Sequence, residues 1–390
     1  MAQNTDANSK YRPIKQLSHV LRETSCNYFD DGLCKSPKIH VDPLYSWSYI
    51  DVEAVDFLSN VLHAGTYHHL PAQIPFPQQL ACLATLVVHP SVTTRTNAVE
   101  SHQASNDALE LLYDVNNLIG PLNGEFSSAF QFLLSKSARG IKRRWGSDSG
   151  DEDENKGLKC TLANSGSLFS QTEDFWQVVG WAFNCSIAYK KRWDRWRLLL
   201  EFMLDVMERD WCERVIQSQK YKAQGDEEIA EKLCLESIIG QYLLPADNRN
   251  ARRRITRALF VDASQKVLNE FGEVFPNELR EPRKQELKKE WKIDMEEADY
   301  GDYEDDDDDG TVQSNGKSGS LRPLRRGASN RLSSREVSED EEEDPLASIN
   351  ETKQSLKGAE LLGGMDSVIL RERLMSLVSS PYLCTWLVHS

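Results

Sequence analysis

The 390-residue chain lacks the short motifs by which common enzyme classes are recognised. It has no G-x-S-x-G elbow of a serine hydrolase, and the glycine pair Gly363–Gly364 is not followed by the Lys-Ser/Thr of a P-loop. Carboxylates are plentiful, but they occur in charged runs where no apolar surroundings would raise a carboxyl pKa into the catalytic range. We therefore expect a protein that is not an enzyme and that binds no cofactor.

Metal-binding and membrane-spanning patterns are also missing from the sequence. The eight cysteines are scattered without a C-x2-C pair, and His63, His68 and His69 lack a second pair of ligands at a fixed spacing. No run of about 18 apolar residues exists for a transmembrane helix, and no apolar stretch follows the polar first ten residues as in a secretion signal. We expect a reduced intracellular protein with no metal site and no membrane association.

Basic residues are missing from three acidic runs of the chain. These runs account for the net charge of −15. Asp148–Glu154 holds five acids, Asp294–Asp309 holds eleven and Glu336–Asp344 holds seven, with no Lys or Arg in any of the three runs. Outside these runs, with their 23 acids, the chain has 38 Asp and Glu residues and 46 Lys and Arg residues. The acidic balance therefore belongs to appendages, and we expect a folded body that is near neutral to mildly basic.

Residues 170–217 carry the strongest folding signal. Five of the nine tryptophans fall here, and large apolar residues recur from Trp193 to Trp211 at the i, i+3, i+4, i+7 spacing of an amphipathic helix. A helix this broadly apolar must be covered on more than one side, which predicts a sizeable all-helical core. We expect a break near Tyr189–Lys191 that divides the segment into a helical hairpin.

Other segments show helical periods with recognisable ends. The predicted helices are 51–63, 77–89, 104–118, a segment capped by Asn123, one that begins at a capping box of Ser170 and Glu173, 226–244, 250–271 and 366–378. No alternating strand pattern is found. We predict an all-α fold, a multi-helix, repeat-like bundle of irregular armadillo or HEAT type with a long disordered charged linker.

Composition divides the chain into four parts. Residues 1–47 are expected to be irregular, 48–280 to form the helical body with a mobile acidic loop at about 140–165, 281–352 to form the disordered acidic and basic linker, and 353–390 to carry a C-terminal helix. The linker has too little apolar surface to offset the entropy of ordering it. The C-terminal helix either docks on the body, which we favour, or binds a partner.

Two basic clusters lie near predicted helix starts and are candidate partner-binding surfaces. The first interleaves charges with aromatic side chains: Tyr189, Lys190, Lys191, Arg192, Trp193, Arg195, Trp196 and Arg197. The second consists of Arg249, Arg252, Arg253, Arg254 and Arg257. Basic patches contact phosphates and aromatic rings stack on bases, so DNA or RNA binding is one interpretation. In the other, the tryptophans belong to the core, and Arg252, Arg253, Arg254 and Arg257 meet either an acidic protein partner or the protein's own acidic tract.

Five serines lie in contexts that protein kinases recognise. Ser147, Ser149 and Ser338 lie beside acidic runs, whereas Ser329 and Ser333 follow arginines. Phosphorylation adds roughly two negative charges and would change how these segments pair with basic surfaces. Basic strings at 142–144 and 322–331 are similar to nuclear import signals. We expect a chromatin-associated phosphoprotein of the nucleus, with the cytoplasm as the alternative location.

These patterns together favour a non-enzymatic nuclear scaffold or adaptor. Its helical body would contact protein partners, and its phosphorylatable acidic segments would tune those contacts. The alternative function is direct DNA or RNA binding through the basic and aromatic helix surfaces.

Overall fold

Helices dominate the computed structural model, which describes residues 10–34, 48–68, 70–132, 157–243, 249–281 and 358–380. In these ranges the helices are α1 (His19–Cys34), α2 (Ser48–His63), α3 (Pro77–Val88), α4 (Val99–Leu118), α5 (Phe126–Ala129), α6 (Leu168–Gln171), α7 (Phe175–Ala188), α8 (Lys190–Gln224), α9 (Glu227–Leu235), α10 (Ile238–Leu243), α11 (Arg249–Leu259), α12 (Gln265–Glu270) and α13 (Met365–Val378). They belong to a compact unit of Met1–Arg283 with Asn350–Ser390. A second unit, Lys284–Ile349, and with it most of the predicted linker, lies outside the described residues.

Helices α3 and α8 lie at the centre of the core. The side chains of α3 are buried around nearly its whole circumference, because α4, α5, α6 and α8 all pack against it. The five tryptophans of residues 170–217 are at most 7% exposed, so the predicted helical core around them is confirmed. The chain also breaks at Tyr189, as predicted, and α7 and α8 pack against each other.

The amino-terminal part is more ordered than the sequence suggested. Strand β1 (Ile14–Gln16) pairs in parallel with β2 (Ala72–Ile74), and α1 packs on α2. The expectation of an irregular segment without strands is therefore wrong for residues 14–34. Three-residue strands are too short to show an alternating pattern, and α1 is mostly polar.

The end of the predicted acidic loop is also packed. The backbone N–H of Leu158 donates to Gln78 Oε1 at 2.8 Å, and Leu158 and Leu162 are buried. The prediction of a mobile loop is therefore wrong for 157–165, while 133–156 lie outside the described residues.

Two predicted long helices are each broken in two. Residues 226–244 divide between α9 and α10, because the Ser237 hydroxyl accepts from the Gly240 N–H and Asp210 Oδ2 accepts from the Ile238 N–H. These side chains satisfy the amino-terminal donors of a new helix. Residues 250–271 divide between α11 and α12 at a turn in which Ala263 has φ 54°.

Two predicted caps are wrong. The N-cap of α7 is Asp174, whose Oδ1 accepts from the Gln177 N–H at 2.8 Å, while Ser170 lies within α6. Asn123 does not cap α5, because its side chain donates to the Ile119 carbonyl instead. The simple cap pattern therefore picked a residue that lies inside another helix in the first case, and one whose side chain makes a different contact in the second.

Helix α13 packs on α8, and its Leu370, Leu374 and Leu377 are buried in the core. The turn before it approaches α7 closely: Gly363 has φ 93°, and a Cβ there would lie 2.0 Å from Ser186 Oγ. Glycine is required at this position for both reasons. The last predicted helix, 366–378, is therefore present and rests on the helical body.

Candidate interaction surface

Arg192, predicted to lie on a partner-binding surface, is in the core. It is 2% exposed and forms an ion pair with Glu278, which is 1% exposed, at 2.6 Å. Its guanidinium also donates to Thr93 Oγ1 and to the Val88 carbonyl, at 3.0 and 2.7 Å. A buried charge requires such partners. The assignment of Arg192 to an exposed basic surface is therefore wrong.

Glu278 joins several parts of the fold at one carboxylate. Its Oε1 accepts from the indole N–H groups of Trp181 and Trp196, at 2.9 and 2.7 Å. Its Oε2 accepts from the backbone N–H groups of Val274 and Phe275. These contacts fasten the segment after α12 to α7 and α8. Nothing in the sequence pointed to this residue, since an isolated Glu in a polar stretch looks like a solvated side chain.

Arg192, Glu278, Trp181 and Trp196 form a buried group that we call the internal cluster. His89 packs at its edge. Its ring lies edge-on to Phe275 with 4.9 Å between centroids, and Nδ1 is 2.6 Å from Ser91 Oγ. Burial, together with the positive charges of Arg192 and Arg95, lowers the pKa of His89 to about 4. The imidazole is therefore neutral in the folded protein at neutral pH.

The remaining members of the first cluster do not assemble into a nucleic-acid surface. Trp193 and Trp196 are buried, so neither ring is open to a base. Lys190 Nζ donates to the Gly363 carbonyl at 2.9 Å, and Arg195 donates to Asn106 Oδ1 at 2.7 Å. Lys191 is exposed, 3.9 Å from Glu281. The aromatic and charged side chains that alternate in the sequence therefore point to different environments.

In the second cluster, Arg254 and Arg257 are held by acids. Arg254 makes contacts of 3.1 and 3.2 Å with Asp174, the N-cap of α7, and Arg257 lies 2.7 Å from Glu270 of α12. These pairs attach α11 to its neighbours, while Ile255 and Leu259 bury its apolar side. Both arginines therefore serve the fold and carry charge that is already neutralised.

Arg249, Arg252 and Arg253 differ from these neighbours, and we call them the basic face. All three are exposed, and none has a carboxylate within 4.0 Å among the described residues. They fall on one side of α11 because their spacing is i, i+3, i+4. Three uncompensated cations on one side of a well-packed helix form a surface that attracts negative charge.

Beside α11 lies an aromatic cleft of about 240 Å³. Its floor is formed by Phe132, Phe175 and Tyr242, and Asp174 lines its edge. Tyr242 stacks on Phe175 with 4.6 Å between centroids and donates its hydroxyl hydrogen to the Phe130 carbonyl. These rings are engaged with one another, so the cleft is a packed rim of the core.

The predicted phosphorylation sites cannot be placed on this surface. Ser147, Ser149, Ser329, Ser333 and Ser338 all lie outside the described residues, as do the two basic strings.

Within the described ranges, no helix is both long enough and apolar enough to cross a membrane.

No known protein family, curated protein or solved structure matches this chain.

Proposed function

We propose that the protein is a non-enzymatic scaffold or adaptor that binds an acidic protein partner on the basic face of α11. The observation that carries this proposal is the contrast within one helix: Arg254 and Arg257 have acidic partners, whereas Arg249, Arg252 and Arg253 have none among the described residues. An acidic partner would supply the missing carboxylates. Arginine suits this role because its planar guanidinium binds a carboxylate through two hydrogen bonds.

A repeat-like stack of helices is part of the same proposal. Consecutive helices pack in pairs, α1 with α2, α3 with α4 and α7 with α8, which supports an irregular solenoid-like body. We also place the protein in the nucleus, with chromatin-associated partners, on the strength of the basic strings at 142–144 and 322–331. Phosphorylation of the acidic segments would add charge that competes with the partner for the basic face.

DNA or RNA binding remains the rival function. The following experiment distinguishes it from binding of an acidic protein. In a triple variant, Arg249→Glu, Arg252→Glu and Arg253→Glu replace the three cations. The matched control replaces three exposed lysines elsewhere, Lys220→Glu, Lys222→Glu and Lys266→Glu, so that both variants change the net charge equally. Each is used as bait in nuclear extract, with and without nuclease, and recovery is quantified by mass spectrometry.

We expect the arginine variant to lose about tenfold or more of its partner recovery, since hot-spot arginines each contribute a large share of binding energy. The lysine control should keep its recovery, and nuclease should change neither. Equal recovery for both variants would show that the basic face is not the docking site. Recovery that nuclease abolishes would show that the arginines bind nucleic acid.

A further inference from the structure

The basic face of α11 continues into an exposed aromatic side chain. Arg249, Arg252, Arg253, Thr256 and Phe260 follow the spacing i, i+3, i+4, i+7, i+11, which places them along one side of a helix. The Phe260 N–H donates to the Thr256 carbonyl at 3.1 Å, so the chain keeps its helical course to this point. Phe260 is 52% exposed. The side of α11 that carries unpaired charge therefore ends in an uncovered ring.

A second group of exposed apolar residues lies in the turn before α13 and in the first part of that helix. Leu361, in the turn before α13, is 76% exposed, and Met365 and Ile369 in the first part of α13 are exposed as well. Single exposed apolar residues are ordinary on protein surfaces, but neighbouring ones mark an interaction surface. Whether Phe260 and Leu361 are neighbours depends on how α11 meets that turn.

Arg371 contacts both the end of α11 and the turn before α13. Its guanidinium donates to the carbonyls of Leu259 and Leu362, the residues directly beside Phe260 and Leu361 in the chain. Arg371 is 2% exposed and lies 4.2 Å from the centroid of the Phe183 ring. Phe260 and Leu361 are therefore each next in the chain to a carbonyl that the same buried guanidinium holds.

We propose that this combined surface binds an acidic amphipathic helix of a partner protein. The apolar side of that helix would cover Phe260 and Leu361, and its acidic residues would reach Arg249, Arg252 and Arg253. The inference rests on the proposed function and names the chemistry of the partner. Charge complementarity selects an acidic partner, and the apolar half selects one that folds its apolar residues onto one side.

A nucleic acid fits this surface less well than an acidic helix. Base stacking would use the Phe260 ring, but it gives no role to the aliphatic Leu361 and Met365. An acidic chain without apolar residues would use the cations and leave both exposed apolar side chains in water. The occupant that matches every exposed element is therefore both acidic and amphipathic.

The test uses the purified full chain and two labelled peptides of about 20 residues, long enough for substantial helix formation. The first peptide places leucines at i, i+3, i+4 and i+7 among glutamates, and the second has the same composition in scrambled order. Binding is measured by fluorescence anisotropy for the wild-type chain and for the Phe260→Ser, Leu361→Ser double variant. The matched control replaces exposed apolar residues elsewhere, Tyr67→Ser and Val99→Ser.

We expect the amphipathic peptide to bind about tenfold or more tightly than the scrambled one, and the Phe260→Ser, Leu361→Ser variant to lose that advantage. The Tyr67→Ser, Val99→Ser control should retain it. The Arg249→Glu, Arg252→Glu, Arg253→Glu variant should weaken both peptides, because each carries the same negative charge. Thermal unfolding of each variant shows that the fold is kept, since all the replaced side chains are exposed.

The outcomes distinguish the two proposals. Equal binding of both peptides, weakened only by the arginine variant, would overturn the amphipathic helix and leave the acidic partner standing. Binding that the arginine variant does not change would overturn both. A single-stranded oligonucleotide that displaces the peptide and requires Phe260 would also overturn the inference, because it would assign the ring to base stacking.

Discussion

The starts of α8 and α11 look alike in the sequence and have opposite fates in the fold. Both are helical stretches in which basic residues alternate with apolar ones. At α8 the central arginine, Arg192, is buried on Glu278, and Arg195 donates to Asn106. At α11, Arg252 and Arg253 stay exposed and have no carboxylate partner among the described residues.

The difference comes from residues far away in the sequence. Arg192 and Glu278 are separated by 86 positions, so no local pattern reveals that the carboxylate is there. Without that partner, burying the guanidinium would be too costly, and it would face water. A basic cluster read from a sequence therefore predicts a binding surface only after its internal acids have been assigned.

Replacing Arg192 by Met should have the largest effect on stability. The change leaves Glu278 buried without its cation, and breaking a buried pair in this way costs about 3–5 kcal/mol. The free energy of unfolding is measured by urea denaturation followed by circular dichroism. The control, Arg253→Met, alters an exposed arginine of the other cluster and should stay within about 0.5 kcal/mol of the wild type.

If Arg192→Met and Arg253→Met have equal stability, then Arg192 behaves as a surface residue. The contrast between the starts of α8 and α11 would then be wrong. Adding Glu278→Gln to Arg192→Met sharpens the test further. It removes the unpaired charge while keeping an acceptor for the indoles of Trp181 and Trp196, so part of the lost stability should return. A double variant that is no more stable than Arg192→Met would assign the loss to packing rather than to charge.

Local patterns predicted more of the fold than of the surface. The tryptophans of α7 and α8 were placed correctly, because a wide apolar face has to be buried whatever covers it. The cap at Ser170 and the unbroken helix over 250–271 were wrong, because several residues competed for each role and tertiary contacts decided between them. Phe260 and Leu361 could not have been joined from the sequence, since they are 101 positions apart and the carbonyls beside them meet at Arg371.

The pH dependence of stability should contain a contribution from His89, at the internal cluster. The folded-state pKa of His89 is about 4, below its ordinary value of 6.5. Between those values the unfolded chain binds a proton that the folded chain does not, so the free energy of unfolding falls as the pH is lowered from about 6.5 to 4. The loss that comes from His89 should be up to about 3 kcal/mol and should level off below pH 4.

Urea midpoints are measured from pH 4 to 7 for the wild type and for His89→Gln. Subtracting one pH profile from the other removes the contribution of the other titrating groups. Arg253→Met is the control and should keep the wild-type pH profile. If His89→Gln has the same profile as the wild type, then the histidine is not buried in its neutral form and the internal cluster is more open than the structure shows.

The smallest effect should come from Arg195, which lies between the two extremes. It is half-buried, and burial with the nearby Arg192 lowers its pKa. Its partners, Asn106 Oδ1 at 2.7 Å and Ser105 Oγ at 3.4 Å, are neutral, so Arg195→Gln removes two hydrogen bonds and no ion pair and should cost about 1 kcal/mol. Urea denaturation at 0.1 and 0.5 M NaCl should give nearly the same difference from the wild type, because the attraction between Arg195 and Asp194 is opposed by the repulsion between Arg195 and Arg192. A loss that shrinks with salt would mean that Arg195 is paired with an acid, and the division between internal and outward-facing arginines would then have to be redrawn at this position.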